Sequence, residues 1–352
     1  MNEDFTLVLL IVAVVLVALA IYNLYRTRQA EREHPPGGSF TQVGKVRLHY
    51  LERGEGPPVV LLHGNVVTAE DYVLSGVFEQ LARHHRVIAF DRPGYGYSDR
   101  PLGSLWSAAK QADLLDQALV QLGIVRPIVV GHSWGTLVAL RMALNHPDHV
   151  AGLVLLGGYY TPTARPDVLL ASPPAIPIIG GLLRYTLSPL MGSALLPLNF
   201  KAMFAPLPVP ERFKQEFPYR FPVRPGQIRA EAQDAATMIP AVMRMRGRYH
   251  ELRLPIVIMA GTKDLIVRHE RHAKWFHAQL PGSDLHLIPG AGHMVHYAVP
   301  ERIVELVEGM TAGAVAGRQT DRVSGGVSSE PLDAGQVQAP ASEPAKPRQG
   351  RT

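Results

Sequence analysis

Short, nearly uninterrupted apolar runs constrain this fold most: residues 59–62, 86–90, 128–130, 153–156 and 256–259. A strand with one wet face alternates polar and apolar residues. These runs do not, so both faces are covered, as in a parallel sheet. Between the runs, apolar residues at positions 105, 108, 112, 115, 119 and 122 recur at the three- and four-residue spacing of an amphipathic helix. Strands alternating with helices predict an α/β fold, a mostly parallel sheet with helices on both faces. In such sheets the ligand site lies at the carboxyl ends of the strands.

The 128–130 run leads straight into Gly131-His132-Ser133-Trp134-Gly135, and a helical run over 136–145 follows at once. So abrupt a strand-to-helix turn brings backbones too close for side chains, hence a glycine on each side of the serine. The turn lifts the Ser133 hydroxyl to the sheet edge, at the positive end of the helix. A hydroxyl becomes a nucleophile only when a base takes its proton and an acid orients that base. Two downstream segments supply them. Asp264 stands in Gly261-Thr262-Lys263-Asp264 after the 256–259 run, and His293 stands in Gly290-Ala291-Gly292-His293 after a strand-like stretch at 284–288. His296 and His269 are rival bases that read as surface histidines, because neither sits in the glycine loop. Asp91 is the rival acid, and its segment Asp91-Arg92-Pro93-Gly94-Tyr95-Gly96 reads as a structural turn. A tetrahedral oxyanion also needs fixed N–H donors. The Trp134 N–H is one candidate. The other lies in His63-Gly64-Asn65 after the 59–62 run, first at Asn65 and second at Val66.

A separate signal stands at the start of the 352-residue chain. Residues 5–25 are apolar except for Thr6 and Asn23, and at about 1.5 Å per residue they reach roughly 31 Å, the thickness of a bilayer core. Asn2, Glu3 and Asp4 precede the segment, where a cleaved signal peptide carries positive charge. A retained single-pass transmembrane anchor is therefore expected. Arg26, Arg28 and Arg32 follow it and put the catalytic domain on the cytoplasmic side.

Residues 26–39 then read as a linker, 40–160 and 249–309 as two parts of one core, and 161–248 as an inserted cap. The cap holds 14 of the 30 prolines, so its helices are expected to be short and interrupted. It also carries 11 Lys/Arg against 5 Asp/Glu. Residues 310–352, rich in Gly, Ala, Ser, Pro and Gln, read as a disordered tail. The absence of cysteine excludes disulfides, thiolate metal sites and a cysteine nucleophile. A net charge of +5 without any Lys/Arg block argues against a nucleic-acid partner.

Together, His63-Gly64, the segment Asp91-Arg92-Pro93-Gly94-Tyr95-Gly96-Tyr97-Ser98, the Ser133 turn, Asp264 and His293 resemble the α/β-hydrolase superfamily. The likeness is to its cap-bearing esterase, epoxide-hydrolase and dehalogenase branch and covers residues 40–309. It implies an eight-stranded, mostly parallel sheet, a helical cap inserted after the sixth strand, and a triad of Ser133, His293 and Asp264. Asn65 with Trp134 resembles the halide-gripping pair of haloalkane dehalogenases. Those enzymes use an aspartate nucleophile, however, and Ser133 stands in its place, which argues against dehalogenase or epoxide-hydrolase chemistry. Ser133-Trp134-Gly135 resembles proline iminopeptidases, but their glycine-rich oxyanion loop is replaced here by His63-Gly64-Asn65-Val66.

The expected protein is thus a membrane-anchored serine hydrolase that cleaves an ester through an acyl-enzyme and needs no metal or organic cofactor. Its expected partners are a small, lipophilic ester and the membrane. Apolar stretches at 168–183 and 195–207 of the cap favour an apolar acyl or alkyl group. The cap residues Arg212, Lys214, Arg220, Arg224 and Arg229 are expected to turn the pocket mouth toward an anionic leaflet. The alternatives are an iminopeptidase-like aminopeptidase, a cofactor-free haloperoxidase-like enzyme, and a non-catalytic membrane-tethered binding protein.

Overall fold

The computed structural model describes residues 3–324. Eight strands form one sheet: β1 Ser39–Val43, β2 Val46–Arg53, β3 Pro58–Leu62, β4 Arg86–Phe90, β5 Ile128–His132, β6 Gly152–Leu156, β7 Ile256–Gly261 and β8 Asp284–Ile288. Their order is β1-β2-β4-β3-β5-β6-β7-β8. The strands β3 to β8 pair in parallel, whereas β1 pairs antiparallel with β2 and β2 with β4. The apolar runs predict five of the parallel strands to within two residues at each end. Residues of β3 to β7 are buried on both faces almost throughout, which is why their sequences lack alternation.

The helices Ala108–Gln121, Gly135–Asn145 and Ala273–Gln279 cover one face of the sheet, and Val77–Leu81 and the first turns of Pro300–Ser324 cover the other. The first face buries residues such as Leu115, Leu140 and Phe276, and the second buries Phe78, Ile303 and Val307. Helices between Pro166 and Arg246 fill the insertion after β6.

Three elements differ from the sequence reading. The N-terminal helix runs from Glu3 to Glu33, so most of the expected linker is helical. Its last two turns are packed and paired: Ala30 is fully buried, Glu31 binds Arg224 at 3.0 Å and Glu33 binds Arg220 at 2.9 Å. At the other end, the helix Pro300–Ser324 continues past Gly309 into the expected disordered tail. Thr311 is buried there, with its hydroxyl 3.2 Å from the His85 ring. The rest of the expected tail, residues 325–352, lies outside the described residues. Third, the cap helices Leu187–Phe204 and Pro225–Arg246 have 18 and 22 residues and run through Pro197 and Pro240. Each internal proline costs a backbone hydrogen bond. The buried Phe200, Met203, Phe204, Met238, Val242 and Met245 hold those helices against that cost.

Candidate active site

Ser133 is the first residue after β5, and its backbone adopts φ = +52°, a left-handed conformation that costs a non-glycine residue energy. The neighbouring backbones leave no alternative. A side chain on Gly135 would strike the Leu62 carbonyl, and one on Gly131 would come within 2.9 Å of the Gly135 carbonyl. The Ser133 N–H is fixed by the Leu156 carbonyl at 2.8 Å, and its carbonyl accepts the Thr136 N–H at 3.0 Å. Strand, tight turn and helix thus hold the hydroxyl at the carboxyl edge of the sheet.

The loops after β7 and β8 converge on that hydroxyl. His293 Nε2 lies 2.9 Å from Ser133 Oγ, and His293 Nδ1 lies 2.8 Å from Asp264 Oδ2. The other Asp264 oxygen accepts the backbone N–H groups of Ile266 and Val267 at 2.7 and 2.8 Å. Asp264 is therefore fixed before it orients the ring. The His293 N–H donates to the Met203 carbonyl of the cap at 3.1 Å. Gly157, after β6, has φ = +54°, which favours glycine, and a Cβ there would crowd His293 Nδ1 at 3.3 Å.

The rival groups are committed elsewhere. His296 and His269 are buried, not on the surface as expected. His296 Nε2 binds Asp71 at 2.8 Å and His269 Nε2 binds Glu270 at 3.2 Å. Asp91 holds its own loop: it binds His49 at 2.7 Å and accepts the N–H groups of Ala69 and Tyr97 at 2.9 and 3.0 Å. His132, behind the nucleophile, is pushed well below the ordinary histidine range by burial and by His296 and His293, so it stays neutral.

The loop after β3 runs beside the serine, for a Cβ on Gly64 would lie 3.1 Å from Ser133 Cβ. Burial and the Arg92 charge push His63 down to about 3. Its neutral ring accepts the Arg92 N–H at 2.9 Å and contacts the Gly64 carbonyl at 2.7 Å. Among the described residues, neither the Asn65 nor the Trp134 N–H has a protein acceptor. Val66, the second choice, faces the Glu231 carboxyl of the cap with its N–H.

The Trp134 indole N–H donates to the Asp234 carbonyl at 3.0 Å, so it is committed there rather than to a halide shared with Asn65. Asn65 Oδ1 accepts from Arg92 at 2.8 Å and from Tyr95 at 2.9 Å.

Four segments meet in a buried polar network that the sequence reading misses. Asp234 of the cap binds Arg92 at 2.6 Å and Arg100 at 3.0 Å, and accepts from Gln111 at 3.0 Å and from Tyr95 at 3.0 Å. Arg92 lies between the Tyr95 and Trp134 rings, 4.4 and 4.6 Å from their centroids. This network ties the cap helix Pro225–Arg246 to both oxyanion-side loops. One turn earlier, burial pushes the Glu231 carboxyl up to about 8, against the lowering pull of Gln227, so it keeps its proton at neutral pH.

The profile of the alpha/beta hydrolase fold matches residues 57–189. An uncharacterized protein of Mycobacterium tuberculosis is 31% identical over 291 residues, 78% of this chain and 81% of that one. The chain belongs to the α/β-hydrolase family. Within that family it is 26% identical to a 2-hydroxymuconate semialdehyde hydrolase of Pseudomonas putida, over 82% of this chain and 98% of the relative. An α/β hydrolase fold protein from Burkholderia ambifaria superposes with a TM-score of 0.64 at 25% identity, covering 76% of this chain and 96% of that one. The relatives of this chain thus include enzymes named as hydrolases. One N-terminal helix of the chain is long and apolar enough to cross a membrane.

Proposed function

We propose that this α/β hydrolase is a membrane-anchored serine esterase that works through an acyl-enzyme. The observation that carries the reading is the position of His293, within hydrogen-bond reach of both Ser133 Oγ and Asp264. Ser133 Oγ attacks the ester carbonyl while His293 Nε2 takes its proton. The oxyanion that forms is held by the N–H groups of Asn65 and Trp134. His293 returns the proton to the departing alcohol, then deprotonates the water that releases the acid and frees Ser133. Asp264 holds the ring in position and stabilises its imidazolium form. The helix Glu3–Glu33 anchors the enzyme in the membrane, and Arg26, Arg28 and Arg32 favour a cytoplasmic catalytic domain.

The cap argues for an uncharged, lipophilic substrate. An aminopeptidase needs a carboxylate for the substrate's ammonium group. Of the two acidic residues the cap helix Pro225–Arg246 brings to the loops beside Ser133, Asp234 is neutralised by two arginines, and burial raises the Glu231 carboxyl to about 8, which disfavours its charged form in the free enzyme. Aryl butyrate and octanoate esters are expected to be hydrolysed. Prolyl-naphthylamide and 1-bromobutane are expected to be left intact, and 2-hydroxymuconate semialdehyde to be a poor substrate. Turnover of prolyl-naphthylamide with no cleavage of any ester would replace the esterase reading with the peptidase one.

A further inference from the structure

The N-terminal helix does not leave the globular part at the end of its apolar stretch. One face, Leu16, Leu19, Ala20, Asn23, Thr27 and Ala30, is covered to varying degrees, while the residues between them are mostly exposed. The helix packs on the short cap helix Ile179–Tyr185. Asn23, a polar residue within the apolar run, is 4% exposed because its amide donates to the carbonyls of Tyr185 and Thr186 at 2.9 and 2.8 Å. Nine residues separate Leu16 from Tyr25, about 13 Å of helix, or nearly half of a bilayer core. Whatever lies beside that stretch lies at membrane depth.

What lies there is apolar on its outer side. Residues 168–200 contain one charged side chain, Arg184, and it is folded back onto the Pro174 carbonyl at 2.7 Å. Leu169, Leu170, Ile178, Ile179, Leu182 and Met191 all point outward, with Ile178 at 91% exposure. The stretches Val168–Ala175 and Ile179–Tyr185 meet at 99° and are together apolar enough for a membrane. Ile178 stands at that corner with φ = +66°, a strained conformation for a β-branched residue. The basic cap residues expected to face lipid are engaged instead. Arg212 binds Glu216, Lys214 binds Glu211, Arg220 binds Glu33 and Arg224 binds Glu31, while Arg229 donates to the Arg100 carbonyl.

We propose that the cap surface formed by residues 168–198 is itself immersed in the bilayer beside the N-terminal helix, so that the hydrolase draws its substrate from the lipid phase. The inference rests on the anchor reading of that helix. The occupant is lipid because the patch continues the apolar surface of a helix already at that depth. The cap helix Leu187–Phe204 links the two ends of the route. Its first turns expose Leu187, Leu190 and Met191, and its last turn delivers the Met203 carbonyl to His293.

The chain has no cysteine, so single-cysteine variants of the full-length protein take one fluorescent label each. Val12→Cys reports on the anchor, Leu170→Cys and Ile178→Cys on the cap, and Val125→Cys, exposed after the helix Ala108–Gln121, serves as the aqueous control. In vesicles of brominated phosphatidylcholine, labels at 12, 170 and 178 are expected to lose about half their emission or more, and the label at 125 almost none. Quenching at 12 without quenching at 170 and 178 overturns the immersed cap and leaves the anchor standing. No quenching at 12 removes the anchor, and the inference with it. Unquenched cap labels that transfer energy between copies would instead mean that a second copy of this chain covers the patch, which also overturns the proposal.

Discussion

His293→Ala is expected to lower kcat/KM for an aryl ester by about ten-thousand-fold or more, with the fold retained. The ring bridges Ser133 Oγ at 2.9 Å and Asp264 Oδ2 at 2.8 Å, so in the proposed mechanism its loss removes both the base for attack and the acid for alcohol departure. Ser133→Ala should cost a similar factor. The double variant should be no slower than either single one, because the residues act as a unit and removing one already disables the other. Residual rates above the uncatalysed reaction would reflect the Asn65 and Trp134 N–H groups. Steady-state kinetics on the three variants decides the matter. Additive losses would mean that Ser133 and His293 serve separate steps.

Asp234→Ala is expected to be the most damaging substitution for stability. Its carboxylate is shared by Arg92 and Arg100, whose side chains are 0% and 1% exposed. Removing one partner of a buried ion pair costs about 3–5 kcal/mol, because the remaining charge stays buried without compensation. Here two guanidinium groups are left behind. The melting temperature should fall by on the order of 10 °C. Asp234→Asn keeps a carbonyl acceptor but not the charge, and should fall between wild type and alanine. Activity should drop in both variants, since the Asp234 carboxylate no longer fixes Arg92 and Tyr95, which in turn hold Asn65. The Trp134 bond to the Asp234 backbone carbonyl is kept. Thermal denaturation followed by circular dichroism checks the order. A melting temperature unchanged in Asp234→Ala would mean that the network does not hold the cap to the core.

The central part of the sheet was legible because burial on both faces leaves an unbroken apolar signature, as at 128–130 and 153–156. The edge hairpin β1–β2 carries no such mark. Thr41, Gln42, Arg47, Glu52 and Arg53 break its apolar pattern, since one side of the edge meets water. Ser133, Asp264 and His293 could be singled out because each follows a strand and lies in a glycine-containing turn, a signal local in sequence. The Asp234 network had no such signal. Asp234 lies at least 123 residues from Arg92, Arg100 and Gln111, and their buried pairing follows only from how the cap folds back onto the core.

Local composition misled where long-range packing dominates. Pro197 and Pro240 suggested broken helices, yet buried contacts along both helices outweigh the lost hydrogen bonds. Likewise the cap's positive balance suggested a basic face toward lipid. Arg212, Lys214, Arg220 and Arg224 pair with carboxylates and Arg229 donates to a carbonyl, while leucine and isoleucine side chains between 169 and 182 stand exposed.

Every step of the proposed mechanism passes through acylation of Ser133 Oγ. Incubating the full-length protein with a fluorophosphonate and mapping the adduct by mass spectrometry tests this most directly. One phosphonyl group per chain is expected on Ser133, with loss of ester turnover in step with labelling, no adduct in Ser133→Ala, and labelling slowed by orders of magnitude in His293→Ala. Full ester turnover by a protein that remains unlabelled, or labelling of Ser133→Ala at the wild-type rate on another residue, would contradict the account.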